Sequence, residues 1–489
     1  MYRLFLFLIL CITGTAALSS EQKPDILVFL CDDFNPFYTG ISGDPDAETP
    51  HLDSLAKESA TFTRCYSAST VCMPARTSLV TGLYPHDTGC WGNSNSLFVP
   101  PPLTSLFSDF KATGYQTAMI GKTHWFSGPE YKREFETLED YFHGIGIDYI
   151  QEVATTFGSR NGEGIYQDYL RSIKKFQSQS KDLTRRLKEN QYAARPSLLK
   201  PEETCDWMMT DLAIEYLDTA PNTDPFFLMI GYSNPHSPMD PSGKYSTQYN
   251  PEEIELRPNT KPFSKYGTDY DEAEIRKTRA AYLGKISFLD DQLGRLIARL
   301  KDRGTWDNTI LVFTADHGLT VGEHANISKG RFWEEIARVP MVIRIPGVTD
   351  AGFQTDSLAQ LFDIYPTLVE AAGGKPSPHL SAKSLMPILK NPDTEVRDVV
   401  FSEIQHKGKF NYLVSEKRFK WTIQDGKEAL FDLEKDPYEM KNLISSKEHT
   451  NKANELKDRL RKFLMEEQLS FSEGYVPLAE RVKKKESED

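Results

Sequence analysis

The chain has 489 residues, 39% of them hydrophobic and 11% aromatic, enough for packed interiors and inconsistent with a disordered protein. Its length exceeds one simple core and predicts two domains. A formal charge of −13 without a basic arm excludes a general nucleic-acid binder, but a few focused cations could still hold an anionic substrate.

In chain order, Arg3 precedes an apolar run from Leu4 to Ile12, followed by small residues through Ala16 and Ala17. This reads as a secretion signal over residues 1–17. The run is too short to span a bilayer comfortably, and no later segment has the length for it. The expected location is extracytoplasmic (extracellular, periplasmic or lysosomal), with no membrane attachment once the signal is cleaved. Cys11 leaves with the signal, and Leu10 stands where a lipidation signal wants a small residue. None of Cys31, Cys65, Cys72, Cys90 and Cys205 shows the CxxC spacing of a zinc site. Cys31, in an apolar strand, reads as a plain buried thiol. If Cys72 is consumed chemically, four cysteines remain that could pair in an oxidising compartment, and spacing assigns no bridge.

Asp25 to Cys31 is a short apolar run ending in Asp32-Asp33, the pattern of a fully buried parallel strand. Similar runs recur at Gln116–Ile120, Phe226–Ile230, Ile310–Phe313 and Pro340–Ile345. Thr49-Pro50 predicts a helix start near His51. From Thr278 to Arg303, Ile286, Leu289, Leu293, Ile297 and Leu300 share a helical face that Gly304 terminates. Strands alternating with helices predict an α/β fold with a large, mostly parallel sheet. Between about Pro129 and Pro201 lies a charged helical insertion carrying Lys174-Lys175 and Arg185-Arg186, either a substrate-contacting excursion or a solvated decoration. After about Ser402 come strand-like pieces at Tyr412–Val414, Phe419–Ile423 and Ala429–Leu433, then a charged helix from about Glu448 to Glu467. The expected division is a catalytic domain over 22–380 and a small α+β subdomain over 381–489, with a frayed tail around Lys483–Asp489.

Asp32-Asp33, Gly121-Lys122-Thr123-His124, Asn234-Pro235-His236 and Thr314-Ala315-Asp316-His317-Gly318 each follow a predicted strand. Ligands bind at the carboxyl edge of such sheets, so four polar clusters there predict a convergent site. Cys72-Met-Pro74-Ala-Arg76 and Leu79-Val-Thr81-Gly82 place a cysteine at a helix start, where the dipole favours negative charge, and Arg76 one turn later on the same face.

Cys72-x-Pro74-x-Arg76 with Thr81-Gly82 resembles the maturation motif of the type I, formylglycine-dependent sulfatases of the alkaline phosphatase superfamily. The resemblance runs from Asp32 to Leu430-Phe-Asp-Leu-Glu-Lys-Asp-Pro437-Tyr-Glu439, similar to that family's "DLxxDPxE" stretch. It implies that Cys72 is oxidised to formylglycine by a maturation enzyme and that Asp32, Asp33, Asp316, His317 and the modified Cys72 hold a divalent metal. Hard oxygen ligands suit Ca2+, Mg2+ or Mn2+. Many members carry Asn where this chain has His317, so Ca2+ is the first choice with manganese open. Arg76 would orient the nucleophile, Lys122 and Lys329 would bind sulfate, His124 would hold or deprotonate the hydroxyl, and His236 would protonate the leaving alkoxide. The expected reaction is hydrolysis of a sulfate monoester, from a sulfated carbohydrate on the strength of secretion. Phosphonate monoester or phosphodiester hydrolysis and a non-catalytic carbohydrate-binding role are the alternatives. His317 and Gly121-Lys-Thr-His-Trp125 look closest to the iduronate and choline sulfatase-like branches. His86, Trp91 and Asn93 are expected either in the substrate-pocket wall or as a packed ring and loop residues. Asn326-Ile-Ser328 is a glycosylation sequon expected to stay unused.

Overall fold

The computed structural model describes residues 23–93, 105–125, 138–153, 164–221 and 224–472. The expected signal over 1–17 with Cys11, the start of the insertion at Pro129 and the tail from Lys483 lie outside the described residues.

Nine strands build the main sheet. They are β1 (Asp25–Asp32), β2 (Ala60–Tyr66), β3 (Gln116–Gly121), β4 (Tyr149–Gln151), β5 (Phe226–Pro235), β6 (Thr309–Ala315), β7 (Arg338–Arg344), β8 (Phe353–Thr355) and β9 (Ala359–Gln360). Their order is β8-β2-β7-β6-β1-β5-β3-β4, with β9 also pairing β2. β1 lies between β5 and β6, parallel to both. Helices cover both faces of such a sheet, which is why Ile26 to Cys31 is apolar without alternation and fully buried. β7 is antiparallel to β6 and β2, so the sheet is mostly, not wholly, parallel. The chain order departs to both sides of β1, and the carboxyl ends of β1, β3, β5 and β6 open on one crevice.

Helix α1 (Pro50–Ala56) begins where Thr49-Pro50 predicts, but Thr49 makes no side-chain cap. Asp290 instead accepts the amides of His51 (2.9 Å) and Leu52 (2.8 Å) from another helix. Helix α2 (Cys72–Thr81) follows β2. The insertion contributes α3 (Ile165–Ser172) and α4 (Phe176–Glu189), and α5 (Cys205–Thr219) leads into β5. Helix α6 (Glu272–Asp302) starts six residues before the expected Thr278 because Asp271 caps it, accepting from the Glu274 amide at 2.8 Å. It buries Ile286, Leu289, Leu293 and Leu300, and Gly304 at φ +73° follows it.

The C-terminal sheet is antiparallel: β10 (Val400–His406), β11 (Lys409–Ser415), β12 (Phe419–Gln424) and β13 (Lys427–Asp432). Helix α7 (Thr450–Ser472) packs on it; Phe463 stacks on Phe401 at 3.9 Å, and these rings join Trp421, Leu430 and Leu456 in a separate small core. This is the α+β architecture expected of the region. Among the described residues, no helix is long and apolar enough to cross a membrane.

Candidate active site

Helix α2 is buried along all ten residues, and its first is Cys72. Val71, at the cap position, has no side-chain acceptor. Asn93 replaces it: its Oδ1 accepts the Met73 amide at 3.0 Å. Gly82 ends the helix at φ +69°. The Gly330 amide donates to Thr70 O at 3.1 Å, which ties the segment carrying Lys329 to the start of α2. Lys329 Nζ lies 2.9 Å from Cys72 Sγ, His317 Nε2 3.3 Å and Asp32 Oδ1 3.4 Å.

The carboxylates arrive on strand ends. Asp32 closes β1. Asp33 has φ +60°, a left-handed conformation that costs energy for a non-glycine residue. Tyr282 holds it, donating to Asp33 O and accepting the Asn35 amide at 2.9 Å. Asp316, just past β6, accepts the amides of Asp33 at 3.3 Å and His317 at 2.8 Å. His317 Nδ1 lies against Gly318 O at 3.0 Å, leaving Nε2 toward Cys72. Asp32, Cys72, Asp316 and His317 can offer donor atoms within 4.8 Å of one another, and Asp32, Asp33, Cys72 and His236 form an overlapping group. Asp33 Oδ2 is buried without a hydrogen-bond partner. Three buried carboxylates, an imidazole and an orphaned carboxylate oxygen fit a divalent cation with hard-oxygen preference.

Cations from three other elements offset this charge. Arg76 pairs through Nε with Asp316 at 2.7 Å and through a terminal nitrogen with Asp32 at 3.6 Å. It also donates to Lys122 O at 2.8 Å, fixing the turn after β3. Gly121 is required in that turn: its φ is +92°, and a Cβ would overlap Gly231 O. Lys122 Nζ pairs with Asp32, and Lys329 Nζ with Asp33 at 2.8 Å. Burial alone would raise Asp32, but Lys122, His236, Lys329 and Arg76 hold it well below the usual carboxylate range. Burial and Asp32 oppose ionisation of Cys72, and Lys122 and Lys329 outweigh them, so the thiol sits below its ordinary value. Against burial, Asp316 and Cys72 push His317 up to about 9; metal binding would displace that proton. Burial, with Lys122 and Arg76 nearby, drives His124 down to about 3, which keeps its imidazole neutral at pH 7. Burial and Lys329 also lower His236.

His236 Nε2 stands 3.7 Å from Asp33, and its Nδ1 lies 2.6 Å from Ser237 O. Two residues that sequence reasoning missed hold this loop. Lys285, on α6, donates to His236 O and, at 2.6 Å, to Pro238 O. Asp206, at the start of α5, accepts the amides of Ser233 at 2.6 Å and Asn234 at 3.4 Å. In sequence, Lys285 looked like any polar position between apolar ones, and Asp206 like an ordinary first-turn acid.

All ten expected site residues therefore converge. Asp32, Cys72, Lys122, His124, His236 and Lys329 line one end of a cavity of about 550 Å³, and Arg76, Asp33, Asp316 and His317 lie behind them. The insertion forms much of the remaining wall, including Gln179, Leu183, Leu187 and Ser197, so it is no mere decoration. Its buried Arg186 is structural, pairing with Asp182 at 2.6 Å and donating to Arg195 O and Pro196 O. Asn93 lines the cavity, whereas His86 binds Glu403 at 2.7 Å and Trp91 packs on Phe410 at the C-terminal sheet. Asn326 is half-buried with both amide atoms bonded, to Lys265 and Thr320, which argues against glycosylation there. The five described cysteines are unpaired, so the possible pairing of four is not realised among the described residues.

Residues 24–374 match the sulfatase family, and residues 322–466 match the C-terminal region of N-sulphoglucosamine sulphohydrolase. An arylsulfatase of Clostridium perfringens is 31% identical, covering 93% of this chain and 96% of its own. A Formosa agariphila ulvan-active sulfatase is 29% identical, covering 91% and 81%. A phosphonate monoester hydrolase of Agrobacterium radiobacter superposes with a TM-score of 0.77 at 24% identity, covering 91% and 96%; at that identity the likeness is one of fold.

Proposed function

This chain belongs to the sulfatase family, and from that premise we propose that it hydrolyses a sulfate monoester of a carbohydrate through a formylglycine made from Cys72. The observation that carries this reading is the setting of Cys72: a buried helix-start thiol that lines a cavity, with Lys329, His317 and Asp32 within 2.9 to 3.4 Å.

Asp32, Asp33, Asp316 and His317 would hold the divalent metal, with Ca2+ the first choice and Mg2+ or Mn2+ the alternatives. When bound, it supplies charge that lowers the pKa of the attacking hydroxyl and stabilises the transferred group. The protein's own groups do the rest. One hydroxyl of the hydrated aldehyde, oriented by Arg76, gives up its proton to solvent and attacks sulfur as the alkoxide. Lys122 and Lys329 bind sulfate oxygens. The S–O bond to the alcohol breaks, and His236 gives its Nε2 proton to the departing oxygen; the bound anion beside it favours that protonated form. His124, neutral at pH 7, takes the proton of the second hydroxyl as the C–O bond to sulfate breaks. This regenerates the aldehyde, which water rehydrates. A cleaved signal over 1–17 and a formylglycine-generating partner enzyme in an extracytoplasmic compartment complete the proposal, with the chain divided near residue 380.

Peptide mass spectrometry across Cys72 on protein from its native route, with Cys72→Ala assayed in parallel, tests this. An aldehyde oxygen in place of thiol sulfur, and sulfate-ester turnover lost at least about 10⁴-fold in the variant, are expected. An unmodified thiol in protein that still cleaves esters would sink the formylglycine route. A preference for phosphonate over sulfate monoesters would move the chain to that chemistry, and metal binding without any turnover would favour a binding role.

A further inference from the structure

Of the ten converging residues, Lys329 is the one that neither a main-sheet strand nor helix α2 delivers. It follows a short antiparallel ladder, Thr320–Val321 with Ile327–Ser328, and precedes Gly330. Gly330 has φ +75°, and a Cβ there would meet nothing nearer than Val71 Cγ1 at 3.7 Å. The glycine therefore serves the left-handed backbone and not a close approach. A glycine also turns readily to other conformations, so hydrogen bonds must fix the peptide that follows Lys329.

Two of them do so, from opposite sides. The Gly330 amide donates to Thr70 O at 3.1 Å. Gln424 Nε2, at the end of β12 in the C-terminal sheet and 94 residues further along the chain, donates to Gly330 O at 2.7 Å. The arm that carries this donor is itself held. Asp425, at φ +53°, gives its amide to Asn411 Oδ1 at 2.7 Å, and Asn411 is fully buried. The Asp425 carboxylate also takes Arg331 at 3.0 Å, but both partners of that pair are largely in solvent, so it contributes little. The partly buried Gln424 bond is the firmer link. Gln424 does not line the cavity, whereas Lys329 Nζ stands 2.9 Å from Cys72 Sγ and 2.8 Å from Asp33.

We propose that Gln424 is a positioning residue for Lys329: through the Gly330 carbonyl, the C-terminal sheet sets the sulfate-binding ammonium group without touching substrate. This rests on the sulfatase reading of the same site. Without the Gln424 donor, the Gly330 peptide is held from one side only. Its carbonyl turns toward water, and Lys329 spends part of its time away from the bound anion. Lys420 still holds Phe332 O at 2.8 Å, which keeps the two sheets docked when Gln424 is changed.

The test measures kcat and KM for 4-nitrophenyl sulfate, and the inhibition constant of inorganic sulfate, in the mature protein and in Gln424→Met and Gln424→Lys. Methionine matches glutamine in length and cannot donate, whereas lysine can. Sodium chloride at high concentration screens the charge that the lysine adds. Loss of folded or matured protein lowers kcat alone, whereas a displaced Lys329 raises KM and the sulfate constant together. Gln424→Met is expected to raise both constants about fivefold, the worth of one ordinary hydrogen bond. Gln424→Lys should leave both within about twofold of the unaltered protein. Constants for Gln424→Met within about twofold of the unaltered protein, a fall in kcat alone, or equal shifts in both variants would overturn the inference and leave the sulfatase reading standing. Inertness of the unaltered mature protein toward every sulfate ester, 4-nitrophenyl sulfate included, would remove the sulfatase reading and this inference with it.

Discussion

Two buried charge clusters can be set side by side. One surrounds Cys72. The other lies where the catalytic sheet meets the C-terminal sheet, centred on Lys420, whose ammonium group donates to Phe332 O at 2.8 Å and Glu334 at 2.9 Å and pairs with Glu439. Glu334 also takes Tyr66 Oη at 2.9 Å and Arg338 at 3.3 Å, while Glu335 meets Arg257, His324 and Asn259. Both clusters mix three carboxylates with cations, and both shift their titrations. Burial raises Glu439 to about 8, whereas lysines and Arg76 hold Asp32 low. His324, Glu335 and Glu439 are even close enough to share an ion, yet Lys420 and Arg257 already supply positive charge there. The difference is access. The Cys72 cluster gathers groups from several strand ends onto a cavity, whereas no residue of the Lys420 cluster lines that cavity. Perturbed carboxylates therefore mark a candidate site only where they converge on space a substrate can enter.

Substitutions can break or sharpen this contrast. The largest effect is expected from Lys420→Met, which strands the ionised Glu334 without its lysine and should cost about 3–5 kcal/mol of stability in urea denaturation. Turnover per folded molecule should stay within about twofold; a loss of turnover at full stability would erase the distinction. Next comes Lys285→Met, in the lysine that holds the His236 loop. An alkyl sulfate, which needs leaving-group protonation, should slow about 10²-fold, and 4-nitrophenyl sulfate less than about threefold. Equal losses on both substrates would make Lys285 merely structural. The smallest effect is a pH slope. Glu439 is raised from an ordinary 4.5 to about 8, so between those values the folded protein keeps a proton that the unfolded chain releases. Its contribution to stability is complete below pH 4.5 and is lost as pH rises toward 8, by at most about 1.4 kcal/mol per unit. Glu439→Gln should flatten that slope in thermal midpoints recorded from pH 5 to 8. An unchanged slope would assign the proton elsewhere.

What the sequence determined alone was local and repetitive. The apolar run of β1 announces a strand buried on both faces, and the polar pairs at its end and after β6 announce an edge where ligands bind. Cys72 to Gly82 carries enough order to mark both a helix start and its chemistry. From these and the polar clusters after β3 and β5, nine of the ten converging residues and the mostly parallel sheet were legible, and Lys329 was named only by the family resemblance. Only the tertiary structure decided what depends on partners far along the chain. β7 has the composition of its parallel neighbours, and nothing local records that it runs the other way. Thr49 looks like a cap, but Asp290 performs that work from 238 residues away or more. Asn93 caps the Cys72 helix because Val71 cannot, and Lys285 secures His236 from the middle of a long helix. His86 and Trp91 sit near the motif in sequence yet face the C-terminal sheet. Periodicity and short motifs report how each segment buries its own face. Which carbonyl, carboxylate or cavity a side chain then reaches is set by how those segments pack.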